Sequence, residues 1–175
     1  FQTKNNNVIP DMITIAKGMG NGVGIIGAVI CRRPIAEAFT SKMFFNTYAC
    51  NPVASAAARA VLQVMKEEDL VNNCYNQGKL FNKRLTRLCE EMPSVFKEVR
   101  GSGLFQGLEI NGKTVEESGK NAFELHRQLL KYGVVIGRGS AAGNVFRIQP
   151  PMCINEKDVN YVVDSIEEVG RNFKF

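Results

Sequence analysis

Between Leu70 and Met92 an apolar or small residue recurs every three or four positions: Leu70, Cys74, Gly78, Phe81, Leu85, Leu88 and Met92. That spacing puts them on one face of a helix. Pro93, which cannot continue a helix, ends it. A long helix with a single apolar face needs elements to pack on, and the residues after it supply them. Val95–Val99, Leu104–Ile110, Val134–Ile136 and Val145–Ile148 read as strands. Ala122–Lys131 reads as a helix. Asn155 caps a last helix from Glu156 to about Asn172, carrying Val159, Val162, Val163, Ile166 and Val169. Strands alternate with helices, which is an α+β tail. The long helix then joins two lobes: 1–70, a connecting helix 71–92, and 93–175.

The first lobe is organised differently. Met12–Ala16 reads as a buried strand, Ile26–Ile30 as a second apolar strand, Ile35–Phe39 as a short helix, and Asn51-Pro52 as the start of an alanine-rich helix over 53–66. The five cysteines are odd in number and contain no CxxC pair, so they suggest neither a disulfide framework nor a metal site. A reducing compartment suits them. The net charge of +5 is spread thinly, with no dense basic run carrying interleaved aromatics, which argues against nucleic acid. No apolar run is long enough to span a bilayer. Phe1–Asn7 reads as neither a signal nor a transit segment, and the sequence reads as one that starts mid-protein.

The stretch ITIAKGMGNG, 13–22, sets Lys17 between an apolar strand and a glycine cluster. A phosphate loop needs its lysine after the last glycine, and here it comes before. Gly22-Val23-Gly24-Ile25-Ile26-Gly27 matches G-x-G-x-x-G, but AVIC follows it, where a dinucleotide turn needs a helix. Two readings stay open on the residues alone. Lys17 is an exposed lysine beside a turn, or an amine whose burial at a strand end lowers its pKa and lets it attack a carbonyl.

Four motifs carry a resemblance. Pro10–Gly22 (PDMITIAKGMGNG) resembles the lysine signature of the class III pyridoxal-phosphate aminotransferases. FNTYACNP, 45–52, resembles that family's phosphate-contacting loop. VRGSGLFQGLEI, 99–110, resembles its first small-domain strand pair. GRGS with FRIQPPMCI, 137–154, resembles its substrate-carboxylate region, in a spelling similar to the family's alanine–glyoxylate branch. The motifs come in family order and cover nearly the whole chain.

The resemblance implies an α/β protein of fold type I: the end of the large cofactor domain, then a C-terminal α+β small domain. It implies pyridoxal 5'-phosphate as cofactor, a Schiff base on Lys17, and Lys17 as the base that moves the substrate Cα proton. Thr47 would contact the phosphate of the partner subunit's cofactor, and Arg147 would clamp the substrate carboxylate. It also implies a homodimer (or tetramer), amino-acid and oxo-acid substrates, and a mitochondrial location. Transfer from alanine to glyoxylate is the leading expectation. Ornithine or 4-aminobutyrate transamination and phospho-lyase chemistry are the nearest alternatives, and an inactive dimerisation or binding module is the alternative of another kind. The family's ring-binding aspartate, stacking aromatic and second phosphate loop would lie before Phe1, so the chain by itself is expected to be inactive. Ala49 and Cys50 replace the family's usual glycines, and Gly24 stands where a proline is common. His126 is expected to pack on its helix, Cys50 to be a small buried residue, and Glu67-Glu68-Asp69 and Glu90-Glu91 to be solvated helix ends.

Overall fold

A computed structural model describes residues 6–49 and 51–174. The chain divides into two compact units, the first ending at Glu68 and the second starting at Asp69.

In the first unit, β1 (Met12–Ile15) pairs antiparallel with β2 (Ala28–Cys31), Met12 opposite Cys31 and Ile15 opposite Ala28. α1 (Arg33–Thr40) starts earlier than expected, because Pro34 fits a helix's first turn rather than breaking the chain. α2 (Pro52–Glu67) begins as expected: the Asn51 side-chain oxygen accepts from the amides of Val53 and Ala54, both at 3.0 Å. Among this unit's described residues only Gly20, Ala54 and Ala58 are fully buried. Val23, Ile25, Met43, Phe44, Phe45 and Tyr48 are exposed.

The second unit holds the core. α3 (Leu70–Glu91) buries Gly78, Phe81, Leu85 and Leu88, the stripe read from the sequence. Gly78 is there because the backbone of Gly103 crosses it; a Cβ at 78 would lie 2.3 Å from the Gly103 carbonyl carbon. β3 (Phe96–Ser102), β4 (Phe105–Ile110), β5 (Gly137–Gly139) and β6 (Val145–Ile148) form an antiparallel sheet in the order β3-β4-β6-β5. Gln106, Leu108, Ile110, Phe146 and Ile148 face the core, which they share with α3, α4 (Val115–Lys131) and α5 (Glu156–Arg171). Phe105, Gly107, Glu109, Val145 and Arg147 alternate onto the other face.

Two expectations are corrected. α4 starts at Val115, not Ala122: Thr114 caps it by accepting from the Glu117 amide at 3.1 Å, and the Glu117 carboxylate accepts from the Lys113 amide at 2.8 Å. The strand expected at Val134–Ile136 lies instead at Gly137–Gly139. Val134 and Ile136 are buried and Val135 is exposed, so their period of two is real, but their backbone runs outside the ladder.

Candidate functional site

Lys17 follows β1 after one extended residue, Ala16. It opens a 3-10 turn, Lys17–Gly20, closed by the Asn21 amide donating to the Gly18 carbonyl at 3.1 Å. Lys17 and Asn21 both take the left-handed backbone conformation, at φ 60 and 47. For a lysine that conformation costs about 1–2 kcal/mol. Its side chain is exposed and makes no hydrogen bond or ion pair with the described residues. Burial of the amine, one of the two readings of the sequence, is therefore not supplied by the described residues of its own unit.

Of the glycines after Lys17, Gly24 is the one fixed by packing, while Gly18 and Gly22 face open space. A Cβ on Gly24 would lie 2.6 Å from the Ala54 Cα, so the loop lies directly on the first turn of α2. A side chain at 24, proline included, needs one of the two to shift.

Thr47 stands in a tight turn built by Asn46, whose side-chain oxygen accepts from the Tyr48 amide at 3.0 Å and whose carbonyl accepts from the Ala49 amide at 3.1 Å. Asn51 then starts α2, so two asparagines hold the loop on either side of the threonine. The Thr47 hydroxyl is exposed and has no partner among the described residues. Cys50, expected to be small and buried, lies outside the described residues.

Arg147 is in β6 on the sheet face turned away from the core. The ladder sets Arg100, Gly107, Arg147 and Gly137 side by side across all four strands. Both cross-strand neighbours of Arg147 are therefore glycines. A Cβ at Gly137 would meet the Arg147 Nε at 3.5 Å, so the guanidinium lies across the space that residue leaves. Arg147 is exposed and pairs with no carboxylate among the described residues. Arg100 differs: it is bound to Glu98 and to Glu109 (2.8 Å). Lys97 also binds Glu109, at 2.9 Å. Hydrogen bonds from Lys97 and Arg100 hold the Glu109 carboxyl below its ordinary range. Glu98 and Glu109 sit directly opposite each other in the ladder, and the two cations offset that repulsion. Arg147 thus borders on a neutralised group and remains the uncompensated cation of its row. The sequence marked Arg147 but not Gly107 and Gly137, because partners across a sheet are set by register.

Arg147 also borders a cavity of about 530 Å³. One irregular wall is Gly133–Gly137 and the other includes Gln149, Pro150, Pro151 and Ile154. The Tyr161 hydroxyl donates to the Tyr132 carbonyl at 2.6 Å beside the first wall. Asn73 of α3 holds the second, its Nδ2 donating to the carbonyls of Met152 at 2.7 Å and Ile154 at 2.9 Å.

The other singled-out residues have ordinary roles. His126 is half-buried on α4. Glu91 pairs with Arg87 and Arg171, and the Glu67 and Asp69 carboxylates accept from Gln63 and Asn72. Burial pushes the Cys74 and Cys89 thiols up. Among the described residues no group of three His, Cys, Asp or Glu is gathered to hold a metal, and no helix is long and apolar enough to cross a membrane.

Lys17 and Thr47 belong to the first unit and Arg147 to the second. The pattern "Aminotransferase class-III" matches residues 1–169. The chain is 38% identical over 164 residues to "Alanine--glyoxylate aminotransferase 2 homolog 2, mitochondrial" of Arabidopsis thaliana, covering 93% of this chain and 34% of that one. It is 33% identical to "Ethanolamine-phosphate phospho-lyase homolog 1" of Caenorhabditis elegans, covering 96% and 36%. Among solved structures it matches an acetylornithine aminotransferase from Elizabethkingia anophelis with a TM-score of 0.87 at 28% identity, covering 97% of this chain and 43% of that one. The chain spans about a third of the length of the curated relatives it matches. The mixed α/β architecture is thus the fold-type-I arrangement that the motifs implied. On a family pattern that runs through both units, and on a fold that agrees with it, this chain belongs to the class III aminotransferases.

Proposed function

We propose that the full-length protein is a pyridoxal-phosphate-dependent transaminase that moves an amino group from alanine, or a related amino acid, to glyoxylate or a similar oxo acid. The observation that carries this reading is the state of three side chains. Lys17, Thr47 and Arg147 have the chemistry the family needs, and each is without a partner among the described residues. The donor set fits pyridoxal phosphate: a primary amine for its aldehyde, and a hydroxyl in a turn for its phosphate.

When bound, that cofactor supplies an electron sink that makes the substrate Cα–H acidic. The chain's own residues do the rest. Lys17 would hold the cofactor through its amine and, with that amine free, would take up the proton from the substrate Cα. Its side chain is exposed and without a partner among the described residues, which leaves the amine available for both tasks. Thr47 would donate to the phosphate of the cofactor held by the partner subunit of a homodimer. Arg147 holds the substrate carboxylate by a two-point contact, in the space that Gly107 and Gly137 leave open. The exposed apolar residues of the first unit, Ile25, Met43 and Phe45 among them, fit a unit that is completed by more of its own domain and by a partner subunit. The name of the plant relative favours a mitochondrial site of action.

The test is to measure amino transfer by the full-length protein with wild-type Arg147 and with Arg147→Ala. Removing a charge-assisted contact of about 2–4 kcal/mol weakens alanine and glyoxylate binding roughly thirtyfold to a thousandfold, with cofactor affinity little changed. Unaltered substrate affinity, or loss of the cofactor itself, contradicts the assignment. The phospho-lyase relative motivates a second reading, and release of phosphate from phosphoethanolamine in preference to transfer from alanine would establish it.

A further inference from the structure

We infer that Asn73 is a positioning residue, which fixes the Gln149–Ile154 wall of the cavity beside Arg147 and so sets which substrate side chain fits there. This rests on the reading of Arg147 as the carboxylate ligand.

β6 ends at Ile148, and the ladder holds nothing beyond it. The next residues include two prolines, which lack an amide donor, and one turn, closed by the Ile154 amide donating to the Pro151 carbonyl at 3.1 Å. At its far end the Ile154 side chain is buried in the core, and the Cys74 thiol lies 4.0 Å from the Met152 carbonyl, but no backbone ladder ties the wall down. Asn73 holds its backbone from α3, far away in sequence, with both of its amide hydrogens: one to the Met152 carbonyl, one to the Ile154 carbonyl. Two carbonyls caught by one carboxamide fix both the distance and the rotation of the segment between them.

The carboxamide is itself oriented. Gln77, one turn along α3, donates from Nε2 to the Asn73 Oδ1 at 3.4 Å, which leaves both Asn73 hydrogens for the wall. The Gln77 Oε1 is then buried without a partner, the one such side-chain atom among the described residues. Flipping the Gln77 amide would set two oxygens against each other. An unsatisfied buried oxygen is kept as the consequence of aiming Asn73.

The test uses the full-length, cofactor-loaded protein. In Asn73→Ala, amides in 149–154 exchange with solvent at least tenfold faster, while those of Phe81–Leu88 keep their protection. The KM for alanine, or for whichever amino donor the wild type turns over best, rises about tenfold with kcat within twofold. The KM for the donor with one more methylene rises less, so discrimination falls. Gln77→Ala, which leaves the Asn73 donors in place, moves both readouts the same way by less. If Asn73→Ala does not fold, Asn73→Ser, which keeps one donor, is measured in the same way. Unchanged exchange at 149–154 overturns the inference, and so does faster exchange with unchanged discrimination. Arg147→Ala is run alongside. If it leaves donor affinity unaltered, the carboxylate reading has failed and Asn73 has no site to shape. If it weakens the donor while Asn73→Ala does not, the inference about the wall alone is refuted.

Discussion

At Lys17 a long, branch-free side chain occupies backbone space that glycine occupies more readily, φ 60, directly after a strand. Local sequence could not show this. The glycines at 18, 20 and 22 suggested freedom around the lysine, and the structure puts a left-handed turn on the lysine itself. If that strain is retained for function, relieving it stabilises the protein. Lys17→Gly in the cofactor-free full-length protein raises unfolding stability by up to about 1 kcal/mol, the relieved backbone strain less the added chain entropy of glycine. The same substitution abolishes transfer. A chemical denaturation series measures it, and a clear loss of stability would show that Lys17 supports the fold. Arg147 was legible as a residue, since VFRI alternates around it. Its setting was not, because only the register reveals that Gly107 and Gly137 flank it.

Among the elements, those with strong end signals were read nearly to the residue. α3 carries an uninterrupted stripe and stops before a proline, α5 begins at its Asn155 cap, and β6 has the expected bounds. α4 was read too short because Ser118, Gly119 and Asn121 are weak helix formers. Ser118 bonds back locally to the Thr114 carbonyl at 2.8 Å, and the other two are kept by fits to neighbouring segments: Asn121 donates to the Asn111 carbonyl at 3.0 Å, and a Cβ on Gly119 would lie 2.4 Å from the Ala142 oxygen. The misplaced β5 has another cause. Alternating burial at Val134–Ile136 reports which side chains reach the core, and pairing of the backbone is a separate matter. The β3–β4 pair supports a pH prediction. Glu109 titrates lower in the folded protein than in the unfolded chain, held by Lys97 and Arg100 with Glu98 beside them. Its contribution is therefore present above the ordinary carboxylate pKa and is lost as pH falls through the depressed folded value. Glu109→Gln lowers the Tm at pH 7, and the gap to wild type closes on acidification below pH about 4. A gap that stays constant with pH would mean that the side chain's shape matters and its charge does not.

For the molecule as a whole, the four motifs in order identified the family and the fold, while the units' completeness was not legible in any one stretch. The second unit buries Phe81, Phe96, Phe146 and their neighbours in a core of its own, whereas the first leaves Ile25, Met43 and Phe45 open. The proposed shared site across a homodimer would account for such a surface, and mixing tests it. Full-length Lys17→Ala and Thr47→Ala chains are each nearly inactive; combined heterodimers regain one intact site and up to about half of the wild-type activity per dimer, since each site needs one lysine and one threonine from different chains. Heterodimers that form and stay inactive would contradict the shared site. The most direct measurement addresses Lys17 itself. The full-length protein is saturated with pyridoxal 5'-phosphate, reduced with borohydride, digested and mapped. A pyridoxyl group is expected on the peptide containing Ile15-Ala16-Lys17-Gly18, at Lys17. A label on another lysine, or no label at saturating cofactor, would contradict it.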